Sequence, residues 1–299
     1  MWLIKIYHRL NYSLYFLHRY YSVPDFKILR SLKIHTNEET LKYILENKVS
    51  VSRYGDGEFS LLSGHSTGFQ QENQKMADKL KEILLSSSSK HIVCLPYPFK
   101  SFKGLKYASY EYWSSYLLRR FSTDIKPFVN PDKDYYDSQI TRFYIDYQSD
   151  ENAKRVVPLL KQLWEGRKLV IVEGELSRLG VGNNLFANAQ SIQRIICPSK
   201  NAFNVYDTII ETIKKKVDKD SLILIALGMT ATCLAYDLSN IGYWAIDVGH
   251  VDVEYEWFQM KAKTRVALPN KYVAETKEQF ISDGTIDKTY QSQIIAKVM

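Results

Sequence analysis

Apolar runs of four to seven residues alternate along the chain with longer stretches whose apolar positions recur every three or four residues. The short runs predict strands at 49–52, 91–95, 168–172, 192–196, 222–227 and 244–248. The longer stretches predict helices over 36–45, 73–85, 107–121, 152–164, 205–217 and 233–240, with a further helix opening at Phe59. Thr36 followed by Glu39 is a capping box for the first of these. Residues 140–147 fit a strand or a helix equally. Buried-looking strands separated by helices predict an α/β fold, a mostly parallel sheet flanked by helices. The pattern divides the chain into an aromatic and basic helical extension (1–35), one catalytic-sized domain (36–271) and a polar tail with one weak amphipathic helix (272–299).

In open parallel sheets, ligands bind beyond the carboxyl ends of the strands, and four predicted strand ends here carry polar constellations. The first is Arg53-Tyr54-Gly55-Asp56-Gly57-Glu58. Its glycines let a ligand approach the backbone. On extended chain Asp56 and Glu58 would point to one side and share a cation, with Arg53 forking onto a phosphate. The second runs from Glu173 through Arg178, Gly182 and Asn183, with Arg178 suited to a diphosphate and Asn183 to a sugar hydroxyl. The third is Gly228 with Thr230 and Thr232, at a predicted helix start that suits a phosphate on backbone N–H groups. The fourth is His250, Asp252, Glu254 and Glu256, alternating with Val251, Val253 and Tyr255. On an extended chain these four ionisable groups face one way, and like charges so close raise at least one pKa, as a general base requires. Each stretch alone also reads as a capped turn; their joint placement at one edge favours a shared anionic ligand.

Composition narrows the ligand. A net charge of +7 suits an anionic partner, but the basic residues are scattered, which argues against nucleic acid. Cys94, Cys197 and Cys233 form neither pairs nor a zinc pattern and predict reduced thiols in a cytoplasmic protein. No Gly-x-Ser-x-Gly elbow is present, which disfavours a nucleophilic triad. Residues 1–21 interleave Trp, Tyr, Phe and Leu with Lys5, His8, Arg9, His18 and Arg19. That mixture is too polar to span a bilayer; it packs as an ordinary helix or lies peripherally on an acidic membrane, such as the inner face of the plasma membrane.

Taken together, these stretches resemble the bacterial GT-D-type glycosyltransferases. The residues that carry the resemblance are Arg53 to Glu58, Glu173-Gly174 with Ser177-Arg178, Gly180-Val181-Gly182-Asn183, Asn201-Ala202-Phe203, Leu227-Gly228 with Thr230-Ala231-Thr232, and Gly249-His250 through Tyr255-Glu256-Trp257. It covers about residues 36–271, and Asn184 stands where the family pattern often has Asp. The resemblance implies a Rossmann-like fold and an Asp-x-Glu motif that binds a nucleotide-sugar and its cation. It implies transfer of a hexose, glucose or galactose, from a UDP-sugar to a glycan, glycoprotein or lipid-linked saccharide. Mn²⁺ or Mg²⁺ would sit on Asp56 and Glu58. Arg53, Tyr54, Gly55, Gly57, Glu173, Arg178, Gly182, Asn183, Gly228, Thr230 and Thr232 would line the donor site. One of Asp252, Glu254 and Glu256, with Glu254 favoured, or His250 beside them, would serve the acid–base step. A non-catalytic nucleotide- or polyanion-binding module and a metal-dependent phosphohydrolase remain alternatives on the residues alone.

Overall fold

The computed structural model describes residues 2–269, 271–273, 276 and 288–299, with side chains from residue 6 onward. In chain order its strands are β1 (Lys33–Ile34), β2 (Ser50–Arg53), β3 (His91–Leu95), β4 (Asp134–Asp137), β5 (Lys168–Gly174), β6 (Ser191–Cys197), β7 (Leu222–Ala226), β8 (Trp244–Asp247) and β9 (Ile294–Lys297). The helices are α1 (Trp2–Ser22), α2 (Phe26–Ser31), α3 (Asn37–Asn47), α4 (Asp56–Leu62), α5 (Gln74–Leu85), α6 (Tyr107–Arg120), α7 (Glu151–Trp164), α8 (Tyr206–Lys216), α9 (Met229–Asn240), α10 (Val251–Gln259) and α11 (Lys288–Gln293). The nine strands form one sheet in the order β1-β4-β3-β2-β8-β7-β5-β6-β9, and every neighbouring pair is parallel.

Parallel strands covered on both faces read as continuous apolar runs, and successive residues serve opposite layers. Leu169 and Ile171 of β5 join a core with α3, α7 and α10; Val170 and Val172 join the other, with α5, α6, α8 and α9. The α/β expectation therefore holds. The capping box also holds: the Thr36 hydroxyl accepts from Glu39 N–H, and the Glu39 carboxylate accepts from Thr36 N–H at 2.8 Å. Residues 138–141 form a short 3₁₀ turn rather than a strand.

At both ends the structure adds to what the sequence predicts. The second half of the expected polar tail folds as α11 and β9, an edge strand paired with β6. Residues 277–287 of that tail lie outside the described residues. At the other end β1 pairs with β4, so the extension reaches into the sheet. From β2 the chain moves outward to β3, whereas from β8 it leaves for β9 at the far edge. The central pair β2–β8 is thus a place where connections diverge, the position where a parallel sheet opens a crevice.

Candidate active site at the β2–β8 edge

The carboxyl ends of β2 and β8 are joined through Arg53. Its Nε donates to the Asp247 carbonyl at 2.8 Å, its Nη2 to Asp247 Oδ1 at 2.8 Å, and its Nη1 to Ser138 O and Thr141 Oγ1. Four of its five N–H groups are therefore held by protein. Arg53 is a brace and not the phosphate fork the sequence suggested. Gly249, at φ +41°, lies against the same guanidinium: a Cβ there would meet Arg53 Nη2 at 2.0 Å. This contact brings the 249–256 segment beside the Asp56 loop.

The Asp-x-Glu motif opens α4, so the extended-chain premise is corrected. Two residues apart on a helix are about 200° apart around its axis, and the two carboxylates diverge. Glu58 turns inward, accepts Gly55 N–H at 2.7 Å through Oε2, and meets the Thr232 hydroxyl at 3.4 Å through Oε1. Burial pushes its pKa up to about 7, with the Asp247 carboxylate adding to the rise. Asp56 is exposed and takes a 2.5 Å hydrogen bond from the Tyr112 hydroxyl of α6 on Oδ2.

A small divalent cation in a phosphate-binding site needs only one or two protein carboxylates, because waters and the substrate's phosphates complete its shell. Asp56, open to solvent, fits that role, whereas Glu58 is turned inward onto Gly55 and Thr232. Among the described residues no cluster of three or more His, Cys, Asp or Glu forms a cage of its own.

Several other expected ligands turn inward. Tyr54 is buried and donates to Leu80 O at 2.6 Å, a core contact. Glu173 is fully buried in an ion pair with Arg194 at 2.6 Å and accepts Leu179 N–H at 2.7 Å. Thr230 and Thr232 lie inside α9, which begins four residues before the expected start; Thr232 donates to Arg53 O at 2.9 Å. Gly228, at φ +53°, caps α9, and a Cβ on Gly57 would press Met229 Sδ at 3.0 Å. Arg178, half-buried at φ +47°, and the exposed Gly182 lie on the loop after β5.

The four-residue acidic run is helical, which corrects the strand reading. His250 is the N-cap of α10. Asp252 and Glu256, one turn apart, share the buried Lys271 ammonium at 2.7 and 3.0 Å and the Asn183 amide at 2.6 and 2.8 Å. Asn183 thus holds carboxylates, and its carbonyl accepts Leu185 N–H. Glu254 points the other way, is fully buried, and accepts Tyr144 and Ile145 N–H at 2.9 and 3.0 Å, with Arg142 at 3.7 Å. Burial pushes its pKa up to about 7 against the lowering pull of Arg142. Asp252 and Glu254 are closed to a substrate hydroxyl by burial, and the half-buried Glu256 has its Oε1 tied to Lys271 and Asn183.

What sequence reasoning missed comes from α6 and from two loops. Tyr112 and Tyr116, one turn apart, stack at 6.4 Å, with the Tyr112 hydroxyl on Asp56, and the buried Tyr116 hydroxyl has no hydrogen-bond partner among the described residues. Burial and the Asp56 charge both raise these phenols, while Arg142 and Arg265 oppose the rise at Tyr112. Those two guanidinium groups are themselves partnered, Arg265 by Asp146 at 2.7 Å and Arg142 by Glu254 at 3.7 Å. No local motif marks them; only the aromatic density of 107–116 hinted at that wall. A separate cavity of about 470 Å³, lined by residues such as Tyr43, Ser87, His91 and Lys133, lies at the opposite, amino end of β3 and β4, away from these groups.

A family model described as the glycosyltransferase GT-D fold matches residues 51–276. The chain is 38% identical over 274 residues to glycosyltransferase GlyD of Streptococcus pneumoniae serotype 4 (strain ATCC BAA-334 / TIGR4), covering 91% of this chain and 33% of that protein. It is 36% identical over 271 residues to the probable glycosyl transferase Gly of Streptococcus gordonii, covering 90% and 39%. It therefore spans little more than a third of the length of the curated relatives it matches. A solved structure described as a conserved domain of unknown function with a distinct glycosyltransferase fold superposes with a TM-score of 0.86 at 39% identity, over 92% of this chain and all of that one. Another, described as a new glycosyltransferase from Streptococcus sanguinis, gives 0.84 at 38%, over 90% of this chain and all of that one.

Proposed function

The chain belongs to the GT-D glycosyltransferase family, and from that premise we propose that it moves a hexose from a UDP-sugar to a hydroxyl of a glycan, glycoprotein or lipid-linked saccharide. The observation that carries the reading is Asp56: an exposed carboxylate at the divergence of β2 and β8, held by the Tyr112 hydroxyl, with Arg142 and Arg265 acting on that same phenol. Asp56 would hold Mn²⁺ or Mg²⁺, which would supply positive charge to a diphosphate leaving group, and Glu58 fixes the Gly55 turn that presents Asp56. The chain's own residues do the rest. Arg142 and Arg265, within electrostatic reach of Tyr112, would add positive charge where negative charge develops as the sugar–phosphate bond breaks. Arg53, Asp247 and Thr232 fix the β2–β8 edge beneath. Glu254, by holding Tyr144 and Ile145 N–H, positions the loop that carries Arg142.

The test is turnover of UDP-glucose and UDP-galactose, with and without Mn²⁺, by the protein and by Asp56→Asn. The expected result is cation-dependent UDP release and sugar transfer, reduced about a hundredfold or more in the variant. Free phosphate released without an acceptor would point instead to a phosphohydrolase. UDP binding that ignores EDTA, with no turnover, would point to a binding module.

A further inference from the structure

Helix α1 is two-sided. One side is docked: Phe16 is buried against Phe102 and Tyr110, the Tyr12 hydroxyl bonds Ser114 of α6 at 2.9 Å, and Arg9 stacks over Tyr107 at 4.4 Å. The opposite side carries Tyr7, Leu10, Leu14, Leu17 and Tyr21, spaced three and four apart, which puts them on one stripe. Each is between 46% and 68% exposed. With Tyr15, these make up most of the large apolar side chains left in solvent among the described residues. Exposed apolar surface this contiguous marks a docking face.

Charge identifies the occupant. Residues 1–35 hold Lys5, Arg9, Arg19, Lys27, Arg30 and Lys33 against Asp25 alone, six minus one, a net charge of +5. Exposed His18 borders the stripe, while exposed His8 and Arg19 lie farther round the helix. A second copy of the chain would set cation against cation, with no acid on α1 to pair with them. An anionic lipid surface neutralises the cations, and Tyr7, Tyr15 and Tyr21 have the apolar body and polar tip that suit headgroup depth. No helix among the described residues is long and apolar enough to cross a membrane, so the contact is in the plane of the surface. We propose that α1 docks the protein on anionic membrane through the Tyr7–Leu10–Leu14–Leu17–Tyr21 stripe. On the glycosyltransferase reading, this sets the site near a lipid-carried acceptor. Ser114 faces α1 and Tyr112, two residues earlier on α6, faces Asp56, about one helix diameter of ~10 Å away.

Docking is measured without reference to activity. The full chain is floated with vesicles of phosphatidylcholine plus phosphatidylglycerol, and with phosphatidylcholine alone, alongside Leu10→Asp/Leu14→Asp/Leu17→Asp. Because these side chains are exposed, circular dichroism and the unfolding midpoint should not change. The expected result is flotation with the anionic vesicles only, weakened by salt and reduced about tenfold or more in the variant. The proposal is overturned if the protein stays in the dense fraction with anionic vesicles, or if the variant floats equally. It is also overturned if the chain is a dimer without lipid that the variant converts to monomer, since a second copy would then occupy the stripe.

Discussion

Three buried carboxyls at or beside the strand ends, Glu58, Asp137 and Glu254, have pKa values pushed up to about 7, mainly by burial. At Glu254 the sign is clear. The folded state keeps a proton that the unfolded chain gives up near 4.5, so the stabilisation is complete below that value and fades as pH rises through about 7. The protein should therefore unfold at lower urea at about pH 8 than at about pH 5, and Glu254→Gln should shrink that difference by the order of 1 kcal/mol. A pH dependence unchanged in the variant would remove Glu254 from the account. At this scale the sequence was informative about residue types and silent about direction. Arg53, Glu173 and Asn183 carry the chemistry expected of donor-site ligands, but each meets a protein partner far along the chain: Asp247, Arg194 and Asp252. Tyr112 could not be tied to Asp56 by any local pattern, because the two are 56 residues apart.

Elements with a clear hydrophobic signal were legible, and α10, whose signal is hidden, was not. Strands β3, β5 and β7 are buried on both faces and announce themselves as apolar runs. Helix α10 is enclosed along Val251–Tyr255, so it lacks a polar face and its 3.6-residue period disappears; the alternation that remains imitates a strand. The junction of β8 and α10 depends on Gly249, whose positive φ and missing Cβ admit the Arg53 guanidinium. Gly249→Ala should cost about 2–4 kcal/mol in chemical denaturation, since either the loop or the Arg53 brace must shift. Loss of under about 0.5 kcal/mol would mean that this packing is not what joins β2 to β8.

For the molecule as a whole, the sheet brings Asp56, Asp247 and the start of α10 to the carboxyl ends of β2 and β8, where its topology opens a crevice. The α/β class and the carboxyl-edge location followed from the order of elements, because that rule depends on connectivity and not on contacts. The edge strands β1 and β9 escaped because two- and four-residue strands bury too little to leave a pattern. The central claim is that Asp56 at this edge holds a cation that in turn holds a nucleoside diphosphate. Its most direct measurement is calorimetric titration of UDP into the folded protein and into Asp56→Asn, with Mn²⁺ and with EDTA. The account predicts binding only to the unsubstituted protein with Mn²⁺ present; equal affinity in EDTA, or in the variant, would contradict it.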